Sequence, residues 1–303
     1  MSQNKQLQSA WLILTNQCNL ACSYCWVPSL KESMAPARMS AAVARLAIGF
    51  LNRYGAEGIH ITLFGGEPLL EFNLIKTILS EFPYLDYTIY TNALLLDDEK
   101  IDFLYKRRDF VDLKISIDGS PIAQVGNRGR MYDEGLMKRV FNLFPTAEAR
   151  LTIGNSTDCY RDVSYLKQKL GAKRISLKIT SFLKLDQTRF DEIEFSLDRL
   201  RNDKELSKNV VISDGSVLKP CNVGSDYVAI APNGDLYPCD VFYWLSKDRL
   251  GSIQEGWDYG ALENFWKKLS IAEEKLCTSC IVEQMYFKKV AEHNARYFKG
   301  VCV

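Results

Sequence analysis

Cys18, Cys22 and Cys25 stand at a C-x3-C-x2-C spacing within Thr15-Asn16-Gln17-Cys18-Asn19-Leu20-Ala21-Cys22-Ser23-Tyr24-Cys25. Soft thiolates this close together suit zinc or an iron–sulfur cluster. Three ligands on a four-iron cluster would leave one iron open to bind something else, whereas a distant fourth ligand would complete a zinc site. A second set comprises Cys221, Cys239, Cys277 and Cys280. Cys221 and Cys239 bracket a turn-rich stretch, and Cys277-Thr278-Ser279-Cys280 returns later in the chain. Four thiolates from two separated pairs can close a tetrahedral zinc site or wrap a cubane.

The rest of the composition narrows the chemistry. There are nine cysteines and only two histidines, His60 and His293. An odd cysteine count without an export signal argues against a disulfide framework and toward metal or redox chemistry. Scarce histidine makes a His-rich zinc hydrolase or a Ser-His-Asp triad hard to build. Lys plus Arg is 38 against 37 Asp plus Glu, a net charge of +1. That balance gives no electrostatic reason to propose nucleic acid or an anionic membrane as the main partner. No apolar run approaches the roughly 18 residues of a membrane helix, and the first ten residues are polar. The expected location is cytoplasmic.

These cysteines need elements to position them, and 303 residues suggest about two domains. Short apolar runs at Trp11–Thr15, His60–Phe64, Tyr87–Tyr90, Val111–Ile117, Arg150–Ile153 and Arg174–Ile179 read as strands. Helical stretches separate them. Ser40 is a good N-cap for a helix ending near Gly55, and Asp97-Asp98 opens another. Phe72, Ile75, Leu79 and Phe82 form one apolar helix face, and Gly171 should end a helix begun around Tyr160. The pattern is α/β with six β-α units, a partial (β/α)6 TIM-type barrel over residues 1–208, two units short of a closed barrel. Its first cysteine loop lies at the carboxyl end of a strand, where such folds place chemistry. Asp191 to Lys208 is a charge-rich helical connector. Residues 209–303 form a smaller α+β domain. Tyr227–Ile230 and Leu236-Tyr237 make a hairpin turning at Asn233-Gly234, and a helical remainder includes Ile281 to about Phe298.

The cysteine loop resembles the radical S-adenosylmethionine (SAM) superfamily, whose signature has this spacing with an aromatic, here Tyr24, before the third cysteine. The resemblance implies a 4Fe–4S cluster on Cys18, Cys22 and Cys25. The open iron would chelate the amino and carboxylate groups of SAM. One-electron cleavage of SAM would then give methionine and a 5′-deoxyadenosyl radical. Gly65-Gly66-Glu67-Pro68, after the second expected strand, is similar to the family's GGEP motif, which meets the SAM amino group. Gly-Gly lets backbone approach closely, and a carboxylate or carbonyl can accept from the ammonium. Ser116, in Ile115-Ser116-Ile117-Asp118-Gly119, and Arg150 match positions used for the SAM ribose and carboxylate.

Asn233-Gly234-Asp235-Leu236-Tyr237-Pro238-Cys239-Asp240-Val241-Phe242 resembles the SPASM/twitch extension, most closely that of anaerobic sulfatase-maturating enzymes, and Arg249-Leu250-Gly251-Ser252-Ile253 continues the likeness. Tyr286 and Val290 occupy positions that are cysteines in the full SPASM pattern. The reduced set Cys221, Cys239, Cys277 and Cys280 therefore looks like the twitch type, with one auxiliary 4Fe–4S cluster to accept or relay an electron. The sulfatase maturases use the aspartate at the place of Asp240 as a general base, work suited to a positioned carboxylate. Cys159 and Cys302 read as buried or surplus thiols, with hydrogen-atom donation by Cys159 and a relic ligand role for Cys302 as alternatives. His60 reads as structural. Phe242, Tyr243 and Trp244 read as packing, with a cleft lining as the alternative.

The resemblance implies a radical SAM oxidoreductase that modifies a peptide or protein side chain, by dehydrogenation or crosslinking, as in maturation of ribosomally made peptides. About seventeen residues precede Cys18, too few for a leader-binding domain. A separate leader-recognition protein, a short guiding sequence, or no peptide at all would each explain that, and the expected electron donor is of flavodoxin or ferredoxin type. The alternatives are two-electron oxidation of a small alcohol such as an aminocyclitol, peptide epimerisation, or a non-catalytic zinc-binding scaffold.

Overall fold

A computed structural model describes residues 6–25, 34–179, 186–213 and 226–271. Two compact units emerge, one from Met1–Asn19, Val27–Tyr90 and Leu218–Lys288, the other from Leu20–Trp26, Thr91–Val217 and Lys289–Val303.

In the first unit, β1 (Leu7–Thr15), β2 (Gly55–Gly65) and β3 (Asp86–Thr91) run parallel, with β1 central between β2 and β8 (Tyr227–Ile230). Helices α1 (Ala41–Tyr54) and α2 (Phe72–Glu81) form the crossovers. Ser40 caps α1, its side chain accepting from Val43 N–H, and Gly55 follows its last turn as expected. One strand face is apolar: Leu12, Leu14, Ile61, Leu63 and Ile89 are wholly buried. The other face carries Trp11, Phe64 and Tyr90, with ring centroids 4.7 Å (Trp11–Phe64) and 5.4 Å (Trp11–Tyr90) apart. His60 lies on β2 and hydrogen-bonds Thr88 at 2.9 Å, a structural role.

The hairpin of the first unit forms as its sequence suggests. β8 pairs antiparallel with β9 (Asp235–Tyr237), and Gly234 adopts φ 90° at the turn. The short strands β10 (Gly251–Ser252) and β11 (Gly256–Trp257) extend this ladder, between α9 (Asp240–Trp244) and α10 (Tyr259–Ile271).

In the second unit, β4 (Val111–Ser116), β5 (Glu148–Ile153), β6 (Arg174–Ile179) and β7 (Val210–Ser213) are all parallel. The helices between them are α4 (Pro121–Arg128), α5 (Glu134–Leu143), α6 (Cys159–Ser164), α7 (Gln187–Asn202) and α8 (Lys204–Ser207). α3 (Asp98–Tyr105) precedes β4 and is capped by Asp97. A π-helical turn, Tyr165–Lys169, extends α6 toward Gly171 at φ 76°. All six expected barrel strands are present, so the α/β class with a parallel sheet holds. The charge-rich connector is α7 and α8, and β7 is a strand that the sequence pattern did not single out.

Candidate functional site

The segment leaving β1 is fixed by its neighbours in the first unit. Asn16, 1% exposed, donates from its side-chain amide to Ala35 O and accepts from Ala37 N–H, both at 2.8 Å. The end of β2 closes on the same segment. Gly66 N–H donates to Thr15 O at 2.9 Å, and Glu67 N–H donates to Gln17 O at 2.8 Å. A Cβ on Gly65, at φ 150°, would collide with Thr15 O, and one on Gly66 with Gln17 O. The glycine pair is thus required for backbone to reach the residues just before Cys18. Glu67 is buried, and its Oε1 accepts from Leu69 N–H, capping the 3-10 turn Pro68–Glu71.

The rear of the cysteine loop is held within the second unit. Ser23 donates from both N–H (2.8 Å) and Oγ (3.1 Å) to Asn127 O, near the end of α4. Tyr24 is buried, and its hydroxyl donates to Asp118 Oδ2 at 2.7 Å. Asp118 is fully buried and accepts at Oδ1 from Arg128 Nη2 (2.9 Å) and Thr152 N–H (3.2 Å). Its own N–H donates to Gln124 Oε1 at 3.0 Å. The Arg128 guanidinium lies 5.4 Å from the Tyr24 ring centroid, within cation–π range. Burial works against the charge on Arg128, but Asp118, Tyr24 and Cys22 outweigh it and keep the guanidinium protonated. Burial raises the Tyr24 hydroxyl well above the ordinary tyrosine value, assisted by Asp118.

Cys18, Cys22 and Cys25 are unbridged thiols, the first two partly accessible and Cys25 exposed. Among the described residues, no three His, Cys, Asp or Glu side chains converge tightly enough for a single metal ion. A four-iron cluster spreads its ligands, one thiolate to an iron. The donor set fits such a cluster in type and number.

Ser116 and Arg150 are register partners on β4 and β5 and so share one face. Arg150 Nη1 is 3.6 Å from Glu148 Oε1. Cys239 is buried and serves as N-cap residue of α9, and burial pushes its thiol up. Asp240 follows in the first turn of α9, half-buried. Phe242, Tyr243 and Trp244 are buried, with Phe242 packed edge-on to Phe265 at 5.3 Å, so they pack rather than line a cleft. Cys159 is fully buried at the start of α6, its thiol pushed up to about 12 by burial. Cys221, Cys277, Cys280, Cys302 and the Ile281–Phe298 stretch lie outside the described residues, as do Tyr286, Val290 and His293.

Asp118 and Arg128 are site residues that the spacing did not single out. Asp118 lies two residues after Ser116 within Ile115-Ser116-Ile117-Asp118-Gly119, but nothing in the sequence marks Arg128.

Residues 12–143 match the Radical SAM superfamily. The sporulation killing factor maturation protein SkfB of Bacillus subtilis is 33% identical over 124 residues, 40% of this chain and 29% of SkfB. Across the curated relatives the matched stretch is only 25% to 57% of their own length. Among solved structures, anSMEcpe with bound AdoMet superposes with TM-score 0.66 at 20% identity, covering 84% of this chain and 77% of that one. SuiB of Streptococcus suis bound to precursor peptide SuiA gives TM-score 0.64 at 14% identity, covering 83% of this chain and 63% of that one. At such identities the likeness establishes the partial-barrel fold. The stretch that matches this superfamily holds both the three-cysteine loop and the Gly-Gly-Glu-Pro turn.

Proposed function

We propose that this chain is a radical SAM enzyme that oxidatively modifies a side chain of a peptide or protein. The observation that carries the reading is the loop Cys18–Cys25, three unbridged thiols in the family spacing, with the Gly65–Glu67 backbone hydrogen-bonded to its approach. When bound, the 4Fe–4S cluster and SAM would together supply a hydrogen-abstracting 5′-deoxyadenosyl radical, released with methionine at the expense of one electron from the external donor. Cys18, Cys22 and Cys25 would hold the cluster. Asp118 and Arg128 orient the loop through Tyr24, and backbone carbonyls of Gly65-Gly66-Glu67 would accept from the SAM ammonium. Ser116 and Arg150, on one face, are assigned to the ribose and the carboxylate.

Residues 1–208 are proposed as the radical SAM barrel and 209–303 as a twitch-like domain. In the latter, Cys221, Cys239, Cys277 and Cys280 would hold an auxiliary 4Fe–4S cluster that accepts an electron. Asp240 would take the proton whose loss makes a substrate radical strongly reducing. The peptide assignment draws support from SuiB, whose structure holds a precursor peptide, and from SkfB, a maturation protein. A flavodoxin- or ferredoxin-type donor and a separate leader-recognition protein are the proposed partners.

Protein purified without oxygen should be brown and carry about eight irons per chain, from two four-iron clusters. With dithionite and SAM it should release 5′-deoxyadenosine, and replacing Cys18, Cys22 and Cys25 by Ala should abolish that release. Zinc in place of iron, or no 5′-deoxyadenosine, would overturn the reading.

A further inference from the structure

Parallel strands covered by helices are normally apolar on both faces. β4–β6 obey this on one face only, where Leu113, Ile115, Ala149, Leu151, Ile175 and Leu177 are at most 2% exposed. The opposite face is charged. The register sets Lys114 beside Glu148, Glu148 beside Arg174, and Arg150 beside Ser176, with Lys178 two positions further along β6. Over this paired stretch the face carries four cations against the single carboxylate of Glu148; Asp112 precedes the pairing on β4.

That carboxylate is already engaged. Glu148 accepts from Ser176 Oγ at 2.6 Å and ion-pairs with Lys114 at 3.4 Å and Arg150 at 3.6 Å. Arg174 donates to a neutral group, the Thr146 carbonyl, at 3.3 Å, a contact that leaves its charge uncompensated. Arg150, Arg174 and Lys178 line one cavity of about 610 Å³. Glu148 lines it too, so the cavity carries three cations against one carboxylate. Its size falls in the range of ligand pockets, and a concave surface with an excess of positive charge concentrates anionic ligands.

We propose that this cavity binds carboxylate side chains of an acidic peptide segment through Arg174 and Lys178. The proposal rests on the peptide reading above and specifies the substrate class for it. Arginine suits a carboxylate through paired N–H donors, and lysine through a compact charge. Arg174 and Lys178 are four residues apart on an extended strand, about 13 Å, so two acidic side chains of an extended peptide can meet both. An aminocyclitol carries ammonium groups, which these cations repel. Arg150 is left for SAM.

Binding decides it, followed by fluorescence anisotropy under anaerobic conditions with iron-loaded protein. The probes are labelled, C-terminally amidated octapeptides containing three Glu or three Gln, and the Gln peptide with a free C-terminal carboxylate. The Glu peptide should bind, more weakly as salt rises, and the amidated Gln peptide should not. Binding of only the free-carboxylate form would assign the cavity to a chain terminus and overturn the side-chain proposal. Arg174→Gln with Lys178→Gln should weaken the Glu peptide at least about tenfold, with SAM affinity and thermal melting unchanged. Equal binding of the Glu and Gln peptides, no binding of either, or loss of SAM affinity in the double variant would each overturn it. Dithionite-driven SAM cleavage without peptide reports separately on the radical SAM reading.

Discussion

The Tyr24 hydroxyl donates to Asp118 Oδ2 at 2.7 Å, across 94 residues of sequence. This bond ties the residue between the second and third loop cysteines to the end of β4. Asp118 also receives the buried Arg128 guanidinium at 2.9 Å. One carboxylate therefore sets both the rear of the cysteine loop and the last turn of α4. Removing the phenol and removing the carboxylate should have different costs. Tyr24→Phe loses one hydrogen bond to a charged acceptor, about 1.5–3 kcal/mol. Asp118→Ala leaves a buried cation unpaired, about 3–5 kcal/mol. Urea unfolding of the metal-free variants should rank Asp118→Ala well below Tyr24→Phe. Equal midpoints would show that Arg128 finds another partner.

The alkaline limb of stability should carry the same signature. Burial raises the Tyr24 hydroxyl well above 10, and it raises Tyr243 to about 12. A group whose pKa is higher folded than unfolded contributes stability below its unfolded value, and that contribution disappears as pH rises through the folded value. The loss therefore begins near pH 10, at up to about 1.4 kcal/mol per pH unit for each such tyrosine. Ultraviolet titration of phenolate alongside circular dichroism should show tyrosine ionisation coinciding with unfolding. Tyr24→Phe should make the decline shallower, and an unchanged slope would remove Tyr24 from this account.

Gly66 separates a packing role from a ligand role. A Cβ there would collide with Gln17 O and approach Cys18 N at 3.1 Å. Both are backbone atoms in a segment held by Asn16, so the chain cannot yield cheaply. Gly66→Ala should lower stability by about 1–3 kcal/mol and also lower the iron retained per chain. Chemical denaturation and iron analysis on the same preparation check both. Gly129, at φ 74° with open space where a methyl would stand, serves as the control: Gly129→Ala should cost stability through backbone strain while leaving iron content intact.

Much of this arrangement is legible in the residues alone. Ser40, Asp97 and the Asn233-Gly234 turn announce their elements through local chemistry, and the structure places caps and turn there. β7 is hidden because only Val210–Ser213 pairs, directly after a charged helical stretch that dominates the pattern. The charged face of β5 and β6 is hidden for another reason. Alternation such as Glu148-Ala149-Arg150-Leu151 reads equally as a half-solvated strand, and only the register with Lys114 and Ser176 reveals a collected charge. The Asp118–Arg128 pair joins a strand end to a helix end, a contact no periodicity encodes.

Thiol reactivity should divide the five described cysteines of the metal-free protein into two classes. Cys25 is exposed, and Cys18 and Cys22 are partly accessible. Cys159 and Cys239 are buried, and burial pushes both thiols up, Cys159 to about 12. Alkylation needs both access and thiolate, so the buried pair is doubly protected. Brief iodoacetamide treatment at pH 8, read by peptide mass spectrometry, should label Cys25 first and leave Cys159 and Cys239 unlabelled until the protein unfolds. Early labelling of Cys159 would place it within reach of small molecules and revive a hydrogen-donor role for it.

As the proposed general base, Asp240 offers a test that separates radical formation from its use. It sits in the first turn of α9, next to Cys239 and apart in sequence from the residues assigned to SAM. Asp240→Asn preserves shape and removes the proton acceptor, so the enzyme should still release 5′-deoxyadenosine. It should form oxidised product at least about a hundredfold more slowly, the usual scale for losing a general base. Asp240→Glu should recover part of that rate, because it restores the carboxylate at a slightly different reach. Product formation by Asp240→Asn at the parent rate would move the base elsewhere, whereas loss of 5′-deoxyadenosine as well would make Asp240 part of the cofactor site.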